Sequence, residues 1–302
     1  MDFLLAVMNP ERLQGLAFAS LFLLLLGVGL ELEPKAVRKA LAGAPYPTIL
    51  IVNFLWIPML CVALIQWLGI PAPTGWAMVI LAVSPFAPVV PLFVRMARGN
   101  LPLAAGMTAL FPLFSAFLTP LSLSLCQFLI DPQQQALAIA PRLILELLFM
   151  SITLPLLLGM IVHRHLGQRM RWLVRGVNGL AEITGVLSLI ALTLTEWSHL
   201  QTLTLQEIMA MILAYELAYA MGGHALSMRS SNRIALGLGA ANRNIGLAVL
   251  IALRFFTHDP VLAPLVGNSL LMILLGLCHA GLGHLRWRRQ PTSTPSPQSL
   301  MP

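Results

Sequence analysis

Polar and apolar positions alternate along this chain on the scale of whole helices. Nine apolar runs, at about 12–30, 46–70, 75–95, 101–130, 138–162, 173–195, 204–226, 233–256 and 261–285, are separated by short charged or turn-rich segments. A hydrocarbon core about 30 Å thick needs about 20 apolar residues of helix to cross it, so each run predicts one crossing. Between Ala40 and Val94 there is no Asp, Glu, Lys or Arg at all. The pattern predicts an all-α integral membrane protein with about nine transmembrane helices.

Two runs are interrupted. The third contains LAVSPFAPVVPLFV, in which Pro85, Pro88 and Pro91 each lack an amide hydrogen and clash with the preceding turn. Counted back from Arg95 at about 1.5 Å per residue, Pro88 lies roughly 10 Å and Pro85 roughly 15 Å into the bilayer. The eighth contains GLGAANRNIGLAVL, where Gly237 and Gly239 weaken the helix and Asn242, Arg243 and Asn244 follow in succession. Arg243 is about 15 Å of helix from Arg233 and from Arg254, too deep to snorkel to either surface. It must face protein or a wet cavity. The two interrupted spans run in opposite directions, as corresponding elements of an inverted-topology repeat do, and their breaks, Pro85, Pro88 and Pro91 in one and Gly239 in the other, are expected to meet at mid-membrane. Proline kinks that merely shape a bundle are the competing explanation.

Composition sharpens the class. The chain is 58% hydrophobic and only 10% charged, far below the roughly 25% charged of a soluble domain, so a water-soluble globule is excluded. The net charge of +7 reflects basic residues gathered in alternate loops: Lys35, Arg38 and Lys39; Arg95 and Arg98; Arg164, Arg169, Arg171 and Arg175; Arg229 and Arg233; Arg286, Arg288 and Arg289. Such residues mark cytoplasmic loops, which puts the N-terminus outside and the C-terminus in the cytoplasm of a plasma membrane, most simply a bacterial inner membrane. They are topology signals, and no nucleic-acid partner is expected. The start, MDFLLAVMNPERLQ, lacks the features of a removable signal peptide. The transporter domain is expected over 1–289, with residues 290–302, rich in Pro and Ser, as a flexible cytoplasmic tail. Cys61, Cys126 and Cys278 have neither disulfide nor metal-ligand spacing, and no metal or cofactor is predicted.

Two further carboxylates lie at depth, Glu216 about 14 Å past Glu207 and Glu182 about 10 Å past Arg175. Each is a candidate to neutralise Arg243 in a salt bridge or to act as a proton-coupling group. Glu146 is explained by an i,i+4 pair with Arg142. There is no Gly-x-Ser-x-Gly, no His-Glu-x-x-His and no acidic pair, so an intramembrane enzyme has no visible chemistry, and a sensor has no output domain.

The stretches LLLLGVGLELEPKAVRKAL, VRMARGNLPLAAGMTALFPLFSAFLTPL and AANRNIGLA resemble the bile acid:sodium symporter family, respectively its second helix, its fourth-to-fifth helix passage and its ninth-helix motif. The resemblance implies a nine-span member without the family's first helix, built as a panel domain and a core domain with two crossed, discontinuous helices. It also implies substrate and ion positions. At the family's sodium ligands, the acidic position is Gly239, a glutamine becomes Arg243, a Ser-Asn pair becomes Val90-Pro91 and a serine becomes Ala104; Thr108, Asn244 and Asn53 retain oxygen ligands. A guanidinium repels sodium, so two-sodium coupling is not expected. Instead the fixed charge of Arg243 would take over the role of a bound cation, with Asn53, Thr108, Asn242, Arg243 and Asn244 as substrate-binding candidates for a small organic anion. The alternative is a sodium- or proton-coupled carrier of a neutral or bile-acid-like solute, with Arg243 in a structural salt bridge. Beyond substrate and lipid, oligomeric state is open.

Overall fold

A computed structural model describes residues 10–31, 45–130, 141–166, 171–224, 226–227, 229–256 and 260–288. The expected basic loop residues Lys35, Arg38, Lys39, Arg169 and Arg289 and the tail 290–302 lie outside the described residues.

The described chain is helical. It comprises α1 (Pro10–Glu31), α2 (Tyr46–Leu68), α3 (Ala72–Val83), α4 (Val90–Met96), α5 (Leu101–Ile130), α6 (141–166), α7 (Arg171–Thr195), α8 (Leu205–His224), α9 (Ser230–Ala241), α10 (Ile245–Phe255) and α11 (Leu262–Arg288). Six of these, α1, α2, α5, α6, α7 and α11, contain stretches long and apolar enough to cross a membrane. The remaining apolar runs are helical but do not qualify singly. Those at 75–95 and 233–256 are halved into α3–α4 and α9–α10, and α8 carries Gln206, Glu207 and Glu216. Large apolar side chains such as Phe117, Leu121, Ile183 and Trp172 stand exposed on the outer surface, the reverse of a soluble protein and the arrangement a lipid solvent requires.

Proline shapes the long helices, and neighbours compensate. Helix α2 widens into a π turn at Val52–Trp56, just before Pro58. Pro58 has no amide to offer the Phe54 carbonyl, and Ser122 of α5 donates its hydroxyl there instead. Helix α6 repeats the device, with a π turn at Phe149–Thr153 ahead of Pro155. Gly69, at φ +61°, closes α2 in the left-handed conformation, and Pro71 follows it.

Two packing groups emerge. Helix α1 packs mainly on α6 and α7, and the rest of the chain (α2–α5 with α8–α11) forms the other group. Close approach of α1 and α6 depends on Gly29 and Gly159, where a methyl on either would strike the other helix's backbone. The groups meet where α6 lies against α5 and where α1 lies against α10. The aromatic centre of the larger group is Phe86, with its ring 4.1 Å from that of Phe111, itself 5.5 Å from Phe54.

Candidate functional site: the crossing of two broken helices

The third run breaks over Ser84–Val89. Ser84 turns extended (φ −72°, ψ 150°), Pro85 and Pro88 provide no amide hydrogens, and α4 resumes at Val90. Pro91 differs from expectation. It sits in the first turn of α4, where a missing amide costs nothing, so it starts the second half-helix and does not break the first.

The eighth run breaks over Asn242–Asn244. Asn242 is extended (φ −96°, ψ 106°), and the Asn244 side chain caps α10 by accepting from the Leu247 amide at 3.0 Å. Gly239 differs from expectation too, because it lies inside α9, before the break. A single glycine costs a helix only about 1 kcal/mol, too little to break it. Its role is steric: a methyl at Gly239 would collide with the Phe86 ring, so the absent side chain lets the two breaks touch.

They do touch. Phe86 and Arg243 form an isolated antiparallel bridge, in which Ala87 donates to the Asn242 carbonyl at 2.9 Å and Asn244 donates to the Pro85 carbonyl at 2.9 Å. Backbone groups freed by the breaks thus satisfy one another. The Val83 carbonyl, freed at the end of α3, accepts from Thr119 of α5 at 2.8 Å. Unpaired backbone would be prohibitive at this depth.

Arg243 is 3% exposed. Its Nη1 donates to the Ser84 carbonyl at 3.2 Å, while Nε and Nη2 meet no protein acceptor among the described residues. The guanidinium therefore lies at the carboxyl-terminal end of α3, the negative end of that helix dipole, with Cys61 of α2 among its electrostatic neighbours. The expected salt bridge with Glu182 or Glu216 is not made. Glu182 is exposed on α7, and Glu216 is held by His279 Nε2 at 2.9 Å and 3.1 Å. Among the described residues no carboxylate comes within ion-pair distance of Arg243. The predicted Arg142–Glu146 pair is present, exposed, at 2.8 Å.

On the other side of the crossing, a cavity of about 190 Å³ separates the two packing groups. Ser20 and Leu21 of α1 and Ser188 and Leu192 of α7 form one wall. The opposite wall is the crossing itself, from Ala87 to Val89 and from Asn242 to Gly246. The amino-terminal end of α10 opens onto it, where the macrodipole favours negative charge. The Asn244 side-chain nitrogen and the Asn242 side-chain oxygen are buried without protein partners among the described residues.

Of the five substrate-binding candidates, the structure brings Asn242, Arg243 and Asn244 together at this cavity. Asn53 and Thr108 do not line it. Both are buried elsewhere; Asn53 donates to the Ile49 carbonyl at 2.8 Å, and its oxygen and the Thr108 hydroxyl have no protein partner among the described residues. Sequence reasoning overlooked Ser20 and Ser188, lone hydroxyls in apolar runs with no local signal. It also overlooked Tyr215, whose hydroxyl accepts from the Asn242 amide at 3.1 Å, and His279 as the partner of Glu216. Each of these contacts is long-range.

A membrane fold, helical throughout its described residues, in which two broken helices meet at a largely apolar cavity with a few polar side chains is the architecture of a secondary transporter. The family model for the sodium bile acid symporter family matches residues 18–214, well over half of the chain, and the protein belongs to that family of transporters. The matched stretch includes the proline-rich break but ends before Asn242–Asn244. No curated protein matches the chain.

Proposed function

We propose that this transporter moves a small organic anion by alternating access and does so without the two-sodium coupling of its family. The observation that carries the proposal is Arg243: a buried fixed cation, unpaired with any described carboxylate, behind the wall of a cavity that also receives the positive end of α10. A guanidinium lodged against the end of α3 occupies the kind of negative niche that suits a metal cation, and repels one. Its charge is then permanent, and the Asn244 amide and the α10 amino terminus receive the substrate's carboxylate or similar group. The about 190 Å³ of the cavity suits a small solute.

The reading extends to topology and motion. Nine membrane segments result when α3–α4 and α9–α10 are each counted as one, the two being corresponding members of an inverted repeat; their antiparallel contact supports this. The cavity's position between α1–α7 and the crossing supports a rocking of the α1, α6 and α7 panel against the core that alternately opens it to each side, with the N-terminus outside and the C-terminus in the cytoplasm.

Binding of a panel of small carboxylates to the purified protein, with sodium present or replaced by potassium, tests the proposal. At least one carboxylate is expected to bind equally in both salts, and Arg243→Ala to weaken it by 10-fold or more. Binding or proteoliposome uptake that rises steeply with sodium, or an Arg243→Ala protein with unchanged affinity, refutes it.

A further inference from the structure

Arg243 also borders a second, smaller cavity of about 50 Å³ on the far side of the crossing, among α2, α3, α8 and α11. The guanidinium donates to the Ser84 carbonyl at the end of α3, the helix whose Met78, Leu81 and Ala82 line this cavity, and Cys61 lines this cavity and not the larger one. Tyr215, Asn268 and Cys61 are the other side chains on its wall that carry a hydrogen-bonding hydrogen, beside the thioethers of Met78, Met211 and Met272. The Tyr215 oxygen already accepts from Asn242, so its hydroxyl proton is free to be donated. The Asn268 amide supplies two more hydrogens, and the guanidinium supplies those on Nε and Nη2, which meet no protein acceptor among the described residues. The wall holds no carboxylate. A mostly apolar cavity whose few polar groups include these donors and no carboxylate, with an ionised guanidinium beside it, selects an anion.

We infer that this cavity is a binding site for a small inorganic anion of the halide type, which neutralises Arg243 when the transport cavity holds no substrate. Size restricts the occupant. One water needs about 10–15 Å³ on this scale, so about 50 Å³ admits a monatomic anion with a water or two and leaves little room for a carbon chain. Water alone satisfies the donors and leaves the charge uncompensated, at several kcal/mol for a bare cation in the hydrocarbon zone. The inference needs only the geometry around Arg243 and goes beyond the organic-anion proposal. Where both hold, the two anions draw on one positive charge from opposite sides of the crossing and oppose each other's binding.

Crystals of the full-length protein grown in sodium bromide, without added carboxylate, give the direct test. An anomalous bromide peak is expected within about 3.5 Å of Arg243 Nε or Nη2, near Tyr215 and Asn268, a normal reach for a charged hydrogen bond to a large anion. Arg243→Gln should abolish it; should that variant not fold, Arg243→Lys, which keeps the charge but lacks the Nε donor, should show reduced occupancy. In parallel, replacing sulfate by chloride at constant ionic strength should raise the melting temperature of the natural protein by about 3 °C and leave that of the substituted protein unmoved. Bromide confined to surface basic residues, or equal melting shifts in both proteins, overturns the inference. If no carboxylate binds but bromide is found at Arg243, the organic-anion proposal fails and this one stands; carboxylate binding without bromide at Arg243 gives the reverse.

Discussion

The two breaks solve one geometric problem with opposite chemistry. In Ser84–Val89 the helix ends because donors are removed: Pro85 and Pro88 have no amide hydrogen, and apart from Ser84 the segment is apolar. In Asn242–Asn244 it ends because competitors are added. The Asn244 side chain replaces the helix's own carbonyl as acceptor for Leu247, and the Asn242 amide bonds back to Leu238. Each then completes the other through the Ala87 and Asn244 amides. A break made by subtraction provides shape, whereas one made by polar side chains also provides binding chemistry. The candidate site residues Asn242, Arg243 and Asn244 all lie on the second.

That comparison can be broken at several points. The largest effect is expected at Arg243. Arg243→Leu should lower anion transport into proteoliposomes by 100-fold or more, while in halide-free buffer it stabilises the fold by about 1–3 kcal/mol, since an unpaired buried charge is removed. Loss of stability together with loss of transport would mean the guanidinium holds the fold together and is not a functional charge. Next is Gly239→Val, which forces the Phe86 ring away; about 2–3 kcal/mol of destabilisation is expected in thermal unfolding. Combining it with Phe86→Ala should cost less than the two single effects added, and strict additivity would show that the contact does not join the breaks. Asn244→Ala removes the α10 cap, at about 1 kcal/mol, and weakens carboxylate binding in the same protein; a stability loss with unchanged binding would confine Asn244 to capping. The smallest effect is at the Glu216–His279 pair, which is partly exposed and so screened. Glu216→Gln should alter stability by about 0.5 kcal/mol or less and leave anion affinity intact, and a large loss of affinity would connect that pair to the crossing.

Much of this was legible locally. Apolar runs, prolines at 85 and 88 and the Asn-Arg-Asn triplet are statements about neighbours in sequence, and helix formation in lipid is governed by such neighbours. The misreadings were of two kinds. Residue type alone marks Pro91 and Gly239 as breakers, although a proline in a first turn is harmless and a buried glycine often exists to admit another side chain, here Phe86. Glu182 and Glu216 were considered as partners for Arg243 on depth alone. Depth does not fix the direction in which a residue faces, and these two carboxylates face away or bond elsewhere.

Taken alone, the sequence determined that the chain lives in a bilayer as helices, roughly where each begins and ends, and which two are interrupted, because lipid demands that every backbone group be satisfied within its own segment or at a marked exception. Tertiary structure decided what those exceptions do. Only packing brings Pro85 and Asn244 to within a hydrogen bond, places Ser20 and Ser188 across a cavity from the crossing, and leaves Arg243 without a carboxylate among the described residues. The Ser84–Arg243 hydrogen bond joins segments 159 positions apart in the chain, and no local pattern encodes which distant surfaces will meet.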